Sequence, residues 1–194
     1  MIAQWIACLA FIGLAVVARG EKPAGEEAAE EMLDLEFAGA AAEPEWIAQN
    51  DTVMGGVSKG GAAIKDGQLV FSGSVSLENN GGFASVMTRG REFDLSGAAH
   101  LALRVLGDGR AYQLRISTDA RHRGGSVVYM ANLPTKDGEW LEVKVPFSAF
   151  RPTHHGNDLP GPPLDLAKVE EIGLFVGDKR PGPFEMKVDW MKAE

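Results

Sequence analysis

Leu101-Ala-Leu-Arg-Val-Leu-Gly-Asp-Gly-Arg-Ala-Tyr-Gln-Leu-Arg-Ile-Ser117 decides the fold class of this chain. Leu101–Leu106 and Tyr112–Ser117 both place large apolar residues at every second position, with polar or small residues between them. That period of two puts the apolar side chains on one face of an extended strand, half buried and half wet. Gly107-Asp108-Gly109-Arg110 joins the two runs with the residue types of a tight turn. The same grammar extends in both directions. Ile64 to Phe71 carries Asp66-Gly67, a hairpin signal, between two extended runs. Phe83–Thr88, Ser126–Asn132, Trp140–Val145, Val169–Val176 and Phe184–Met191 read as further strands. After position 46 no run of helical length has a 3.6-residue period. Many short strands at regular spacing mean an all-β sandwich or barrel.

The 194 residues suffice for one domain with appendages, and 45% hydrophobic content supplies a core. The net charge of −8 is local rather than global. Residues 21–45 hold nine acids against one base, whereas residues 46–194 are close to neutral, with 18 acids and 17 bases. Without a basic stripe, nucleic acid is not expected as a partner. The one cysteine, Cys8, lies in the N-terminal apolar run, so neither a disulfide nor a thiol nucleophile is expected in the domain.

Three segments are expected. Residues 2–18 are apolar and uncharged, and Val16 and Ala18 are small residues spaced for cleavage, so 1–18 reads as a signal peptide or N-terminal anchor. This predicts a protein exported to the periplasm or extracellular space, or tethered by residues 2–18, its only membrane association. Residues 19–44, rich in Ala and Glu, read as an acidic, solvated tether. A helix over Ala28–Phe37 would set like charges against one another at helical spacing. Residues 45–194 form the binding domain.

Two polar runs stand out. Asn50-Asp51-Thr52-Val53-Met54-Gly55-Gly56-Val57-Ser58 pairs a carboxylate and a hydroxyl around Gly-Gly. Asp51 and Ser58 can meet a partner's amide or a sugar hydroxyl; equally, Asp51 can cap its own turn. Glu78-Asn79-Asn80-Gly81-Gly82-Phe83 offers amides that donate and accept, and in Phe83 a stacking face; its other reading is a left-handed Asn-Gly turn. Asp51 and Glu78 as an acid–base pair would need a separation of roughly 5–10 Å that no spacing here dictates, so catalysis is not expected. His154-His155 with Asp158 and His122 lacks the converging ligand set of a stable zinc site, so neither a metal nor a cofactor is expected. Trp46, Trp140 and Trp190 stand at strand ends and are expected to be buried; exposed on a concave face they would form a sugar-stacking platform.

With Trp46, Asn50-Asp51, Met54-Gly55-Gly56-x-Ser58 and Leu77–Ser85 in place, residues 44–192 resemble the complex I intermediate-associated protein family, thirty-kilodalton type. Gly107-Asp108-Gly109-Arg110-x-Tyr112, Trp140, Pro146-Phe147, Phe150-x-Pro152 and Gly182-Pro183-Phe184 add to the match. The sequence departs from the family pattern at Met87, where an arginine is usual, and at Thr153–Asp158, where a basic run is usual. The resemblance implies a galactose-binding-like jelly roll of two antiparallel sheets. It also implies a non-catalytic assembly factor or chaperone that holds membrane subunits of respiratory complex I. The expected partner is a protein, with respiratory-complex subunits foremost, docked by the edge carrying Asp51, Ser58, Glu78, Asn79, Asn80 and Phe83. The alternative is a glycan, bound as by a carbohydrate-binding module.

Overall fold

The computed structural model describes residues 32–38 and 44–194. Thirteen strands occur among them: β1 (Asp34–Glu36), β2 (Glu45–Ala48), β3 (Lys59–Lys65), β4 (Gln68–Val75), β5 (Ala84–Arg89), β6 (His100–Leu106), β7 (Tyr112–His122), β8 (Gly125–Leu133), β9 (Trp140–Pro146), β10 (Arg151–His154), β11 (Asn157–Asp158), β12 (Val169–Val176) and β13 (Gly182–Ala193). They form two antiparallel sheets. One has six strands, in the order β3-β4-β13-β6-β9 with β1 also on β13; the other has seven, in the order β11-β10-β8-β7-β12-β5-β2. The result is the all-β sandwich that the alternating runs and the family resemblance implied. Tyr112, Leu114 and Ile116 point inward from β7, as do Leu101, Leu103 and Val105 from β6, and all are fully buried.

Register sets where the loops gather. Val75 pairs with Gly182, Val176 with both Ala84 and Tyr112, Tyr112 with Leu133, and Leu106 with Trp140. The connections 49–58, 76–83, 107–111, 134–139 and 177–181 therefore share one end of the sandwich. The first two cross from one sheet to the other side by side, β2 to β3 and β4 to β5.

The tether reading of 19–44 needs correction where the structure describes it. Asp34–Glu36 pair with Trp190–Lys192, on the edge of β13 opposite β6 and beyond the point where β4 ends. Leu33, Leu35 and Phe37 are each no more than 2% exposed and belong to the core. The alternation Leu33-Asp34-Leu35-Glu36-Phe37 carries the period of a strand, and Lys192 reaches Glu36 at 2.7 Å and Asp34 at 3.4 Å, offsetting the repulsion that counted against order. The three side chains each contribute about 1.5–3 kcal/mol on burial. A chain shortened to start at Glu45 is expected to unfold at distinctly lower urea concentration than one starting at residue 32; equal midpoints would show that the edge pairing contributes nothing. The proposed signal or anchor segment, 1–18, lies outside the described residues.

β10 was not anticipated because Pro152 sits in it. Pro152 pairs with Tyr129 of β8, and only the two-residue β11 lies outside it, so the missing N–H falls close to the sheet edge.

Candidate functional site: a loop edge locked by Asp51

The two polar runs fold as one unit. Asp51 opens a short 3-10 turn (Asp51–Met54) and its side chain turns inward, with 0% of the residue exposed. Oδ1 accepts from the Ser58 N–H at 2.9 Å. Oδ2 accepts from Ser58 Oγ at 2.5 Å, the Gly82 N–H at 2.7 Å and the Phe83 N–H at 3.3 Å. Ser58 Oγ in turn accepts from the Ser76 N–H at 2.9 Å. Asn50 ties the same loops to both sheets, donating to the Gly60 carbonyl and accepting from the Ser85 N–H. One carboxylate thus holds loop 49–58 against loop 76–83.

The Gly-Gly pairs follow from this. A Cβ on Gly56 would lie 2.4 Å from Asp51 Cγ, and one on Gly81 would lie 2.6 Å from Asp51 Oδ2. Gly55 and Gly82 have φ of 89° and 135°, which only glycine adopts freely.

Asp51 and Ser58, expected as contact residues, are therefore corrected to scaffold: their polar atoms are spent on the loops, and burial keeps them from a partner. The acid–base reading of Asp51 with Glu78 fails for the same reason. Glu78, Asn79 and Asn80 are exposed, and their side chains have no hydrogen-bond or ion-pair partner among the described residues. Asn79 and Asn80 have φ of 54° and 58°, the left-handed turn that was the plainer of the two readings. Phe83 is half buried and stacks on Phe175, centroids 5.4 Å apart and planes 24° apart, so one of its faces is taken.

Sequence reasoning missed the apolar part of this edge. Val53 is 79% exposed, Met54 58%, Leu77 45% and Val57 42%. The other large exposed hydrophobics among the described residues are Met32 and Ile64. The available signal was that Val53, Met54, Val57 and Leu77 sit in turns, where an apolar side chain has no core to enter.

Burial pushes the Asp51 carboxyl up, but the hydrogen bonds from Ser58, Gly82 and Phe83 outweigh it and hold the group below the ordinary carboxylate range. Asp178 behaves likewise: burial raises it, and the Arg110 guanidinium with backbone N–H groups lowers it further. A depressed carboxylate stabilises the fold fully above its unfolded pKa of about 3.9, and loses that contribution as pH falls through the lower folded value. Stability is expected to be flat from neutrality to about pH 5 and to drop below about pH 4. Chemical denaturation across that range checks this, with Asp51→Asn flattening the drop.

Elsewhere, the His122 and His154 rings lie 5.3 Å apart and those of His154 and His155 4.1 Å apart, while His154 Nδ1 contacts the Ser126 carbonyl. Among the described residues no group of three His, Cys, Asp or Glu is placed to hold a metal ion. Trp46, Trp140 and Trp190 are partly exposed rather than buried. Trp46 packs at the core margin near Phe37, the Arg104 guanidinium covers Trp140 at 4.8 Å, and the Lys192 ammonium lies 5.8 Å from the centre of the Trp190 ring.

Comparison with known proteins places this geometry. A family model described as Complex I intermediate-associated protein 30 (CIA30) matches residues 35–188. The chain is 37% identical over 103 residues to the mitochondrial complex I intermediate-associated protein 30 of Mus musculus, covering 51% of this chain and 31% of the relative. It is 27% identical over 147 residues to the protein of the same description from Neurospora crassa, covering 63% of this chain and 50% of the relative. The chain thus spans half or less of the length of these relatives. Among solved structures, the family 11 carbohydrate-binding module of the cellulosomal cellulase Lic26A-Cel5E of Clostridium thermocellum superposes with a TM-score of 0.60 at 18% identity, covering 84% of this chain and 94% of the module. That likeness establishes the shared sandwich fold.

The expectation of an exported or membrane-tethered protein is corrected by these findings, because both relatives are mitochondrial. An apolar run records that a segment prefers lipid to water but does not say which membrane it addresses. Among the described residues no helix is long and apolar enough to cross a membrane.

Proposed function

The chain belongs to the complex I intermediate-associated protein 30 family, and from that premise we propose that it is a non-catalytic docking module for a protein partner in the assembly of respiratory complex I. The observation that carries the reading is the loop edge. Val53, Met54, Val57 and Leu77 are held out in water on two loops that a buried carboxylate fixes in place. Exposed apolar side chains on a rigid support lose little conformational freedom on binding, so more of their burial appears as affinity. Around them Glu78, Asn79 and Asn80 supply a polar rim with free donors and acceptors. An apolar centre inside a polar rim suits a protein surface, and membrane subunits of complex I, awaiting their neighbours, have such surfaces to protect.

A glycan is the second reading, supported by the sandwich shared with a carbohydrate-binding module. Sugar stacking needs bare aromatic faces. Here Phe83 and Phe175 cover one another and Arg104 covers Trp140, so the protein reading is favoured.

The test is cross-linking of the full chain to complex I assembly intermediates from its own source organism, with a Val53→Glu, Met54→Glu double variant beside it. Complex I subunits are expected to be captured by the wild type and reduced at least tenfold in the variant, with the thermal midpoint unchanged. Equal capture removes the loop edge from the reading. If no subunit is captured while a β-glucan oligosaccharide binds, the glycan reading replaces it.

A further inference from the structure

The outer face of the seven-stranded sheet carries an arginine whose recognition edge is unused. Arg115 lies on β7, paired to Gly173 on one side and to Met130 on the other. Its neighbours Leu114 and Ile116 point into the core, so Arg115 points out of it. Nη1 donates to Ser85 Oγ at 2.7 Å, and that hydroxyl donates onward to the Gln49 carbonyl. Nε is buried without any hydrogen-bond partner, and Nη2 makes no hydrogen bond with a described residue. The Phe175 ring lies 5.8 Å away and is backed by Phe83.

An arginine presents its Nε–H and one Nη2–H in parallel, at the spacing of the two oxygens of a carboxylate. Arg110 shows the filled form of this edge: its Nε and Nη2 donate to the two oxygens of Asp178, at 3.2 and 2.5 Å. In Arg115 the same edge is empty. A buried N–H left unpaired carries its desolvation penalty uncompensated, so a fold that keeps one gains when a ligand fills it. Burial pulls the Arg115 guanidinium down to about 10, which still leaves it charged at neutral pH.

Its surroundings narrow the ligand. Arg151 pairs with Met130 in the same cross-strand row, so the two arginines stand two strands apart, about 10 Å. Arg151 is exposed and has no ion-pair partner among the described residues. Arg151 itself lines a groove with Gln113, Met130, Asn132, Thr153 and Asp158, which reaches Arg115 only through its cross-strand neighbour Met130. Glu171, diagonal to Arg115 on the same face, makes no ion pair within 4 Å. Its carboxyl is raised by burial and bonds Ser117 instead, so it tempers the positive field without occupying the fork.

We propose that this face is a carboxylate-binding site for an acidic polypeptide segment, with the Nε–Nη2 edge of Arg115 gripping one of its carboxylates and Arg151 pairing with another about 10 Å along it. The site is separate from the loop edge and does not depend on its reading. An acidic sugar chain also carries carboxylates and is the competing occupant.

The experiment titrates hexaglutamate, hexaglutamine and hexagalacturonate into the full chain while following the Arg115 Nε–H signal in a proton–nitrogen correlation spectrum. Hexaglutamate is expected to shift that signal downfield and saturate it; a shift with hexagalacturonate and none with hexaglutamate overturns the polypeptide occupant. Hexaglutamine is expected to leave it unmoved. Arg115→Lys keeps a cation but loses the fork, and is expected to weaken binding at least tenfold; Arg151→Gln is expected to weaken it less. If 10 mM hexaglutamate leaves the Arg115 signal unmoved, or if Arg115→Lys binds as the wild type does, the proposal fails. The signal is read in the unaltered protein, so a poorly folded variant cannot hide the answer. The Val53→Glu, Met54→Glu variant is expected to bind the acidic probe normally.

Discussion

Replacing Asp51 by alanine is expected to lower the unfolding free energy by about 3–5 kcal/mol. The carboxylate accepts from three backbone N–H groups and one hydroxyl, and all of its hydrogen bonds lie inside the fold. Alanine removes every acceptor at once and leaves those donors facing a vacated space. Some will find water, which is why the figure is well below four full penalties. Asparagine restores one oxygen but turns an N–H₂ toward donors, so Asp51→Asn is expected to recover only part of the loss. Urea unfolding measures this as a fall in midpoint at constant slope. A loss under 1 kcal/mol would mean that the loops are held by something else.

The same lock predicts non-additivity. Gly56→Ala alone must push against Asp51, because the new Cβ would lie 2.4 Å from its Cγ. In an Asp51→Ala background that obstacle is gone, so the second substitution is expected to cost far less than it does in the wild type. A pair that simply adds would show that the glycine is required for another reason. Hydrogen exchange at the Gly82 and Phe83 amides gives the local view: both are protected by Asp51 Oδ2 and both are expected to exchange faster in Asp51→Ala.

Period-two runs made most of this fold readable. β6 and β7 extend the quoted stretches by a residue or a few, and the Asp66-Gly67 turn stands where the dipeptide put it, with φ of 51° and 73°. Those elements are legible because each side chain's fate depends on its own strand. β1 was misread because its acids were weighed against a helix, while the lysine that offsets them, Lys192, lies 156 residues away from Glu36. The loop edge was half legible. That Asn50–Ser58 and Val75–Ser85 matter could be read from their composition. That Asp51 faces inward and Val53 outward could not, because the donors Gly82 and Phe83 come from 31 and 32 residues further along. Arg115 was invisible for a related reason: it occupies an ordinary outward position of an alternating strand. Only the register of β8 and β12 reveals that the residues paired with it across the strands are Met130 and Gly173, neither of them an acid.

Asp178→Ala is expected to cost about as much as Asp51→Ala, 3–5 kcal/mol, for a different physical reason. Arg110 and Asp178 are 4% and 7% exposed, and the pair ties loop 107–111 to loop 177–181 at the same end of the sandwich. The guanidinium is fully engaged: besides Asp178 it donates to the carbonyls of Gly182 and Pro183 at 3.1 Å each, and to that of Arg180. Asp108 braces the same corner, accepting from the Tyr112 hydroxyl at 3.0 Å, the Arg110 N–H at 3.1 Å and the Glu185 N–H at 2.8 Å. Alanine at 178 leaves a charge that cannot be deprotonated without the carboxylate its guanidinium bonds, and Asp108 nearby offsets it only in part, so the penalty is chiefly the desolvation of Arg110 rather than the loss of a bond. Arg110→Met leaves the opposite orphan, a carboxylate that can take up a proton near the surface, and it is expected to cost less at low pH than at neutral pH. The sign follows from the depressed Asp178: its pairing contributes above its unfolded pKa and vanishes as acid protonates it. Combining Arg110→Met with Asp178→Ala removes both charges, and the double variant is expected to be more stable than Asp178→Ala alone. A double variant that loses the sum of the two single effects would mean that the corner is held by its carbonyl contacts and not by the ion pair.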